Sequence, residues 1–153
     1  MSLDLRFARA IDAAPEEVFD AFTQPGGQDA FYRTDDPGWI VESECDFRVG
    51  GEWTVSFGPS PGELYRHTHV FRVIDRARCL LFETTETRLD GSSFQFETEF
   101  TFEPQDGKTL MTMIQRGFPT AELRDEHGID VPNAYDRLID FIKGQRWLRP
   151  NRS

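Results

Sequence analysis

The sequence predicts an α+β fold in which a curved antiparallel sheet of six to seven strands is covered by one long C-terminal helix. Three observations carry this expectation. Between Trp39 and Arg116 apolar residues recur with period two, broken by turns rich in Gly, Pro and Asp. Beyond them Val131, Tyr135, Leu138, Ile139 and Ile142 fall on one helical stripe. Ahead of them, one alternating stretch leads into a helix opened by Pro15. A meander of this kind must cover its apolar face, and the last helix is the only element long enough to do so.

The elements follow in order. Leu3, Leu5, Phe7 and Ile11 alternate with Asp4, Arg6, Ala8 and Ala10, the pattern of a half-buried strand. Pro15 then starts a helix whose first turn carries Glu16 and Glu17, where the helix dipole favours carboxylates. Val18, Phe19 and Phe22 form its apolar stripe, and Pro25-Gly26-Gly27 should end it. A second short helix is expected over 28–32. Trp39, Val41, Ser43 and Cys45 share one face of the next strand, Gly50-Gly51 turns, and Trp53, Val55 and Phe57 return. The run 58–62, with two glycines and two prolines, reads as irregular. Strands are expected over 65–75, 79–86, 94–102 and 108–116, with Asp90-Gly91 and Asp106-Gly107 as turns. Residues 120–128 show no period and read as irregular. Asp130 is placed to cap the last helix, and Pro132 suits its first turn. No repeat or linker interrupts the series, so 1–153 is expected to form one domain.

A net charge of −10 disfavours nucleic acid and anionic membrane surfaces as partners. Cys45 and Cys79 lack C-x-x-C spacing and fit reduced thiols. The longest apolar run spans only 79–82, so no membrane span is expected and the expected location is cytoplasmic. With 14 Phe, the chain is rich in rings, which suit either a bulky core or a ring-lined cavity.

Three stretches resemble one known family. The run 11–23 (Ile-Asp-Ala-Ala-Pro-Glu-Glu-Val-Phe-Asp-Ala-Phe-Thr) is similar to its opening strand-to-helix signature. Arg48-Val49-Gly50-Gly51 resembles its Arg-x-Gly-Gly hairpin, and Tyr135-Asp136-Arg137-Leu138 its C-terminal helix. The family is the activator of Hsp 90 ATPase homologue-like family, within the START-like, Bet v 1-like (SRPBCC) superfamily. The resemblance implies a helix-grip fold with a space between sheet and long helix. Its members include carriers of hydrophobic ligands, cyclases and a co-chaperone, so the fold narrows function only loosely. One departure stands out: where the family's last helix usually begins Gly-Trp, this chain has Asp130-Val131. That substitution and the nearby histidines imply a wider and more polar space.

His67 and His69 share a strand face with Tyr65 and Phe71. Two imidazoles so spaced suit one metal ion or a general base, or they are core histidines satisfied by neighbours. No third ligand is evident, because His127 lies in a segment without period. Arg116 ends a strand and suits either a carboxylate clamp at a cavity mouth or a surface ion pair. Arg48 suits the hairpin's own acids, and Glu97 and Glu99 a solvated face. Phe31 and Tyr32 stand where the family carries adjacent aromatics. The candidate pocket residues are these two with Trp53, Val55, Tyr65, His67, His69 and Phe96 from the sheet, Arg116 at its end, and Val131, Tyr135 and Leu138 from the helix. No Ser-His-Asp order, nucleotide loop or zincin motif occurs, so no catalytic residue, cofactor or metal is assigned.

Three functions compete: a binding protein for a small hydrophobic or amphipathic molecule, a chaperone-interacting protein, and a polyketide cyclase-like enzyme using Tyr65, His67, His69 or Arg116. The free edges of a meander suit a monomer or a homodimer.

Overall fold

The computed structural model describes residues 3–148. Strand β1 (Leu5–Ile11) is followed by helices α1 (Pro15–Phe22) and α2 (Pro25–Tyr32). Strands β2 (Ile40–Cys45), β3 (Glu52–Ser60), β4 (Glu63–Asp75), β5 (Cys79–Thr87), β6 (Ser93–Gln105) and β7 (Lys108–Arg116) come next, then helices α3 (Ala121–Gly128) and α4 (Val131–Leu148). One seven-stranded antiparallel sheet runs in the order β1-β7-β6-β5-β4-β3-β2. Its curved inner face grips α4, with α1 and α2 filling one end, which is the helix-grip fold.

The core lies where the period-two rows meet the helical stripe. Phe71, Phe82, Phe100, Phe102, Met111 and Met113 from the sheet pack with Val18, Phe19 and Phe22 of α1 and with Tyr135, Leu138 and Ile142 of α4. Each such side chain contributes about 1.5–3 kcal/mol on burial. Tyr135 is fully buried and its hydroxyl donates to Met111 O at 3.1 Å, pinning α4 to β7. Most of the rings thus make a bulky core, and a smaller set is left to line a cavity.

Four local features differ from the sequence expectation. First, α2 starts at Pro25, so Gly26 and Gly27 lie inside a helix instead of ending one. A Cβ on Gly27 would stand 1.8 Å from Ala21 O, and one on Gly26 would stand 2.7 Å from the Phe141 ring. The glycines are there for close packing. Second, β3 continues through Gly58 and Pro59 to Ser60, because a register shift between Phe57 and Ser60 accommodates the proline at an irregularity. Third, the register also shifts between Phe71 and Val73, which keeps Phe71 buried and leaves Val73 exposed. Fourth, 121–128 is helical. Thr120 Oγ1 caps α3 by accepting from Leu123 N at 3.1 Å, yet none of its residues is fully buried, so no apolar period betrayed it.

Candidate functional site

Period two sets which side chains of the sheet point inward. On β4 these are His67, His69 and Phe71, and on β5 they are Leu80, Phe82, Thr84 and Glu86. Register then makes neighbours of them: His67 lies opposite Glu86, and His69 opposite Thr84. Thr98 on β6 and Gln115 on β7 are paired in the same way. A polar seam therefore crosses four adjacent strands of an otherwise apolar face.

Buried polar groups need partners, and here they supply one another. Tyr32, in the last turn of α2, places its hydroxyl 2.7 Å from His67 Nδ1 and 2.7 Å from His69 Nε2. Glu86 Oε1 is 2.6 Å from His67 Nε2 and 2.7 Å from His127 Nε2, the latter brought over by α3. Glu86 Oε2 accepts from Arg88 Nη1 at 2.7 Å, and Arg88 Nη2 donates to Glu126 at 2.8 Å. The Arg88 guanidinium also lies over the Tyr65 ring, 5.6 Å from its centre. Farther along, His69 Nδ1 is 2.8 Å from Thr84 Oγ1, Thr84 and Thr98 hydroxyls are 3.2 Å apart, and Gln115 Nε2 donates to Thr98 Oγ1 at 3.4 Å.

Burial pushes His67 down, against the opposing pull of Glu86, and drives His69 well below the usual imidazole range, reinforced by His67 and His127. Both rings are therefore neutral near pH 7. Burial works to raise the Glu86 carboxyl, but hydrogen bonds from His127 and His67 hold it well below the usual carboxylate range. Burial, and after it the charge of Glu86, raises the Tyr32 phenol well above its ordinary value. These states orient the seam. His67 Nε2–H donates to Glu86, Tyr32 donates to His67 Nδ1, His69 Nε2–H donates to Tyr32, and Thr84 donates to His69 Nδ1. Every link then runs toward Glu86.

Above this seam lies a cavity of about 390 Å³, walled by α2, α3, the start of α4 and the sheet. Phe31, Trp39, Phe57, Tyr65, Met113 and Val131 give it apolar sides. Tyr32, His67, Glu86, His127 and Gln115 give it a polar floor, and Glu126 and Asp130 also line it. Gln115 Oε1 is buried and has no partner among the described residues.

Of the residues singled out from sequence, the structure brings Phe31, Tyr32, Tyr65, His67 and Val131 into this cavity. His69 stands behind Tyr32 in the seam. Trp53, Val55, Phe96, Tyr135 and Leu138 are buried packing residues outside the lining. Arg116 corrects the expectation of a clamp at the mouth: it sits on the outer face, paired to Glu97 at 2.9 Å and Glu99 at 2.7 Å. Arg48 pairs with Asp46 at 2.7 Å in the hairpin. Glu86 and Gln115 escaped the sequence reading, and His127, which it named, could not be placed without α3. For Glu86 a signal existed, since the alternation Leu80, Phe82, Thr84, Glu86 carries a carboxylate onto the inner face.

Comparison with known structures supports the same architecture. A Chromobacterium violaceum protein, CV1439, superimposes with a TM-score of 0.77 at 19% identity, covering 92% of this chain and 97% of its own. An AHSA1 protein of Silicibacter pomeroyi gives a TM-score of 0.76 at 17% identity, over 93% of this chain and 99% of its own. A Rhizobium loti protein, Mll3558, gives 0.73 at 22% identity, over 90% and 97%. At these identities the likeness shows the fold alone. No curated protein matches the sequence. Among the described residues no helix is long and apolar enough to cross a membrane. Residues 12–143 match the family described as Activator of Hsp90 ATPase homolog 1-like protein, and the chain belongs to that family.

Proposed function

We propose that this chain binds a small amphipathic molecule in the cavity between the sheet and helices α2, α3 and α4. The observation that carries this reading is a cavity of about 390 Å³ with apolar sides and a polar floor, within the size range of small-molecule sites. Aromatic and aliphatic walls accept the apolar body of a ligand. The floor selects its polar end. Tyr32, His67, Glu86 and His127 put a phenol, two imidazoles and a carboxylate there, so a ligand that carries an O–H or N–H at that end can be paired instead of stranded. Binding, rather than a committed reaction, is the function these features support best.

The test is native mass spectrometry of protein purified from its own cells, with thermal shifts against a panel of aromatic and aliphatic alcohols and acids. A retained species, or a panel member that raises the melting temperature and loses that effect in Ala134→Phe, supports the reading. If no panel member shifts the wild-type protein and no species co-purifies, the reading fails.

A further inference from the structure

Among the described residues, His67, Glu86 and His127 are the one group of three whose potential metal-ligand atoms lie within 4.8 Å of one another. They come from three elements, β4, β5 and α3, and all three line the cavity. We propose that they form a binding site for one divalent transition-metal ion of the zinc type, with its remaining coordination positions turned toward the cavity.

The donor set suits that class of ion. Two imidazole nitrogens and one carboxylate oxygen match borderline cations such as Zn²⁺, Co²⁺ or Fe²⁺, and not the all-oxygen shells of Mg²⁺ or Ca²⁺. The distances are close to what an ion needs. Both Nε2 atoms already converge on Glu86 Oε1, at 2.6 and 2.7 Å. Bonds of roughly 2.0–2.2 Å at open angles place donors about 3–3.5 Å apart, so the carboxylate must draw back from each ring by less than about 1 Å, while the two ring nitrogens, within 4.8 Å of one another, settle into the same range. Three protein ligands leave at least one position open, the arrangement of a site that also takes a small molecule.

The surroundings complete the case. Arg88 engages Glu86 Oε2 and leaves Oε1 to face the two rings. The charge of Arg88 is itself met by Glu126. To ligate through Nε2, His67 must carry its proton on Nδ1 and donate it outward. Tyr32 Oη lies there at 2.7 Å. Tyr32 can then donate to His69 Nε2, and His69 Nδ1–H to Thr84 Oγ1, so those three links reverse without a bond lost or a charge created. A divalent ion held by one carboxylate keeps positive charge to spare, which favours a ligand with an anionic oxygen at the open position.

The inference does not depend on the apolar-ligand reading, because metal uptake needs the three donors and not an occupied cavity. Untagged protein is stripped with chelator and titrated with Zn²⁺ by calorimetry and native mass spectrometry, and with Co²⁺ by visible absorption. We expect one Zn²⁺ per chain, and a Co²⁺ spectrum of four or five ligands including imidazole. Glu86→Gln and His127→Ala should each weaken Zn²⁺ by at least a hundredfold in chelator competition. Tyr32→Phe should weaken it about tenfold with the stoichiometry kept. His127 lies on a helix with no fully buried residue, so its variant reads metal binding even where Glu86→Gln does not fold. Failure to take up one equivalent, or unchanged affinity in His127→Ala, overturns the proposal.

Discussion

The Tyr32 hydroxyl stands 2.7 Å from a nitrogen of His67 and 2.7 Å from a nitrogen of His69, so a single oxygen ties α2 to two buried rings of β4. Tyr32→Phe removes the donor for one ring and the acceptor for the other. Leaving buried groups unpaired should cost about 2–4 kcal/mol. Urea unfolding should show a lower midpoint at an unchanged slope. A loss under about 0.5 kcal/mol would mean the rings find other partners and the seam is not a unit.

Gly26 and Gly27 are adjacent in α2 and should respond differently to alanine. Helix propensity alone favours alanine at both by about 1 kcal/mol. At Gly27 the new methyl meets the Ala21 carbonyl at 1.8 Å, where backbone must move, so Gly27→Ala should destabilise by at least about 2 kcal/mol. At Gly26 it meets the Phe141 ring, which can turn aside, so Gly26→Ala should fall within about 1 kcal/mol of wild type. Melting curves of the two variants, compared directly, decide this.

Arg137 joins the ends of two helices. It donates to Ala30 O at 2.8 Å and Phe31 O at 2.9 Å, carbonyls at the end of α2, and pairs with Asp130 at 2.7 Å. Lysine has one point of charge where this site uses a fork. Arg137→Lys should lose about 1–2 kcal/mol and speed amide exchange in the last turn of α2. Equal exchange in both proteins would show that the carbonyls do not depend on it.

Val131 lines the cavity at the first position of α4. Val131→Trp restores the large ring expected from the family pattern. It should weaken binding of any cavity ligand at least tenfold while costing no more than about 3 kcal/mol of stability. Unchanged affinity would place the ligand elsewhere.

Much of this architecture was legible in the residue order, and the reasons are local. Phe96, Phe100 and Phe102 advertise a strand face, and Tyr135, Leu138 and Ile142 a helix stripe, because burial imposes a period on whatever it covers. Helix α3 was not legible, since a helix without fully buried residues imposes no period. That hid His127, and with it the third member of the His67–Glu86 cluster. His67 and His69 could be placed on one face from spacing alone. The alternation of β5 carries Glu86 onto the same face, but its pairing with His67, 19 residues away, could be found only once the β4–β5 register was known. Arg116 shows the converse: a strand-end arginine near a presumed mouth is drawn to the outer face by the carboxylates of Glu97 and Glu99.

The placing of β1 also has a kinetic meaning. Strands β2 to β7 join neighbours in sequence and can zip up one hairpin at a time. Strand β1 cannot, because it must pair with β7 at the far end of the meander. Where the Thr109 hydroxyl donates to Ala13 O at 2.7 Å, the partners are 96 residues apart. Closing so long a loop gains little until late, so the search for this edge should set the pace of folding. A chain emerging from the ribosome would hold β1 unpaired until residue 109 and beyond had been made, whereas Phe22 of α1 could already meet Phe31 and Trp53.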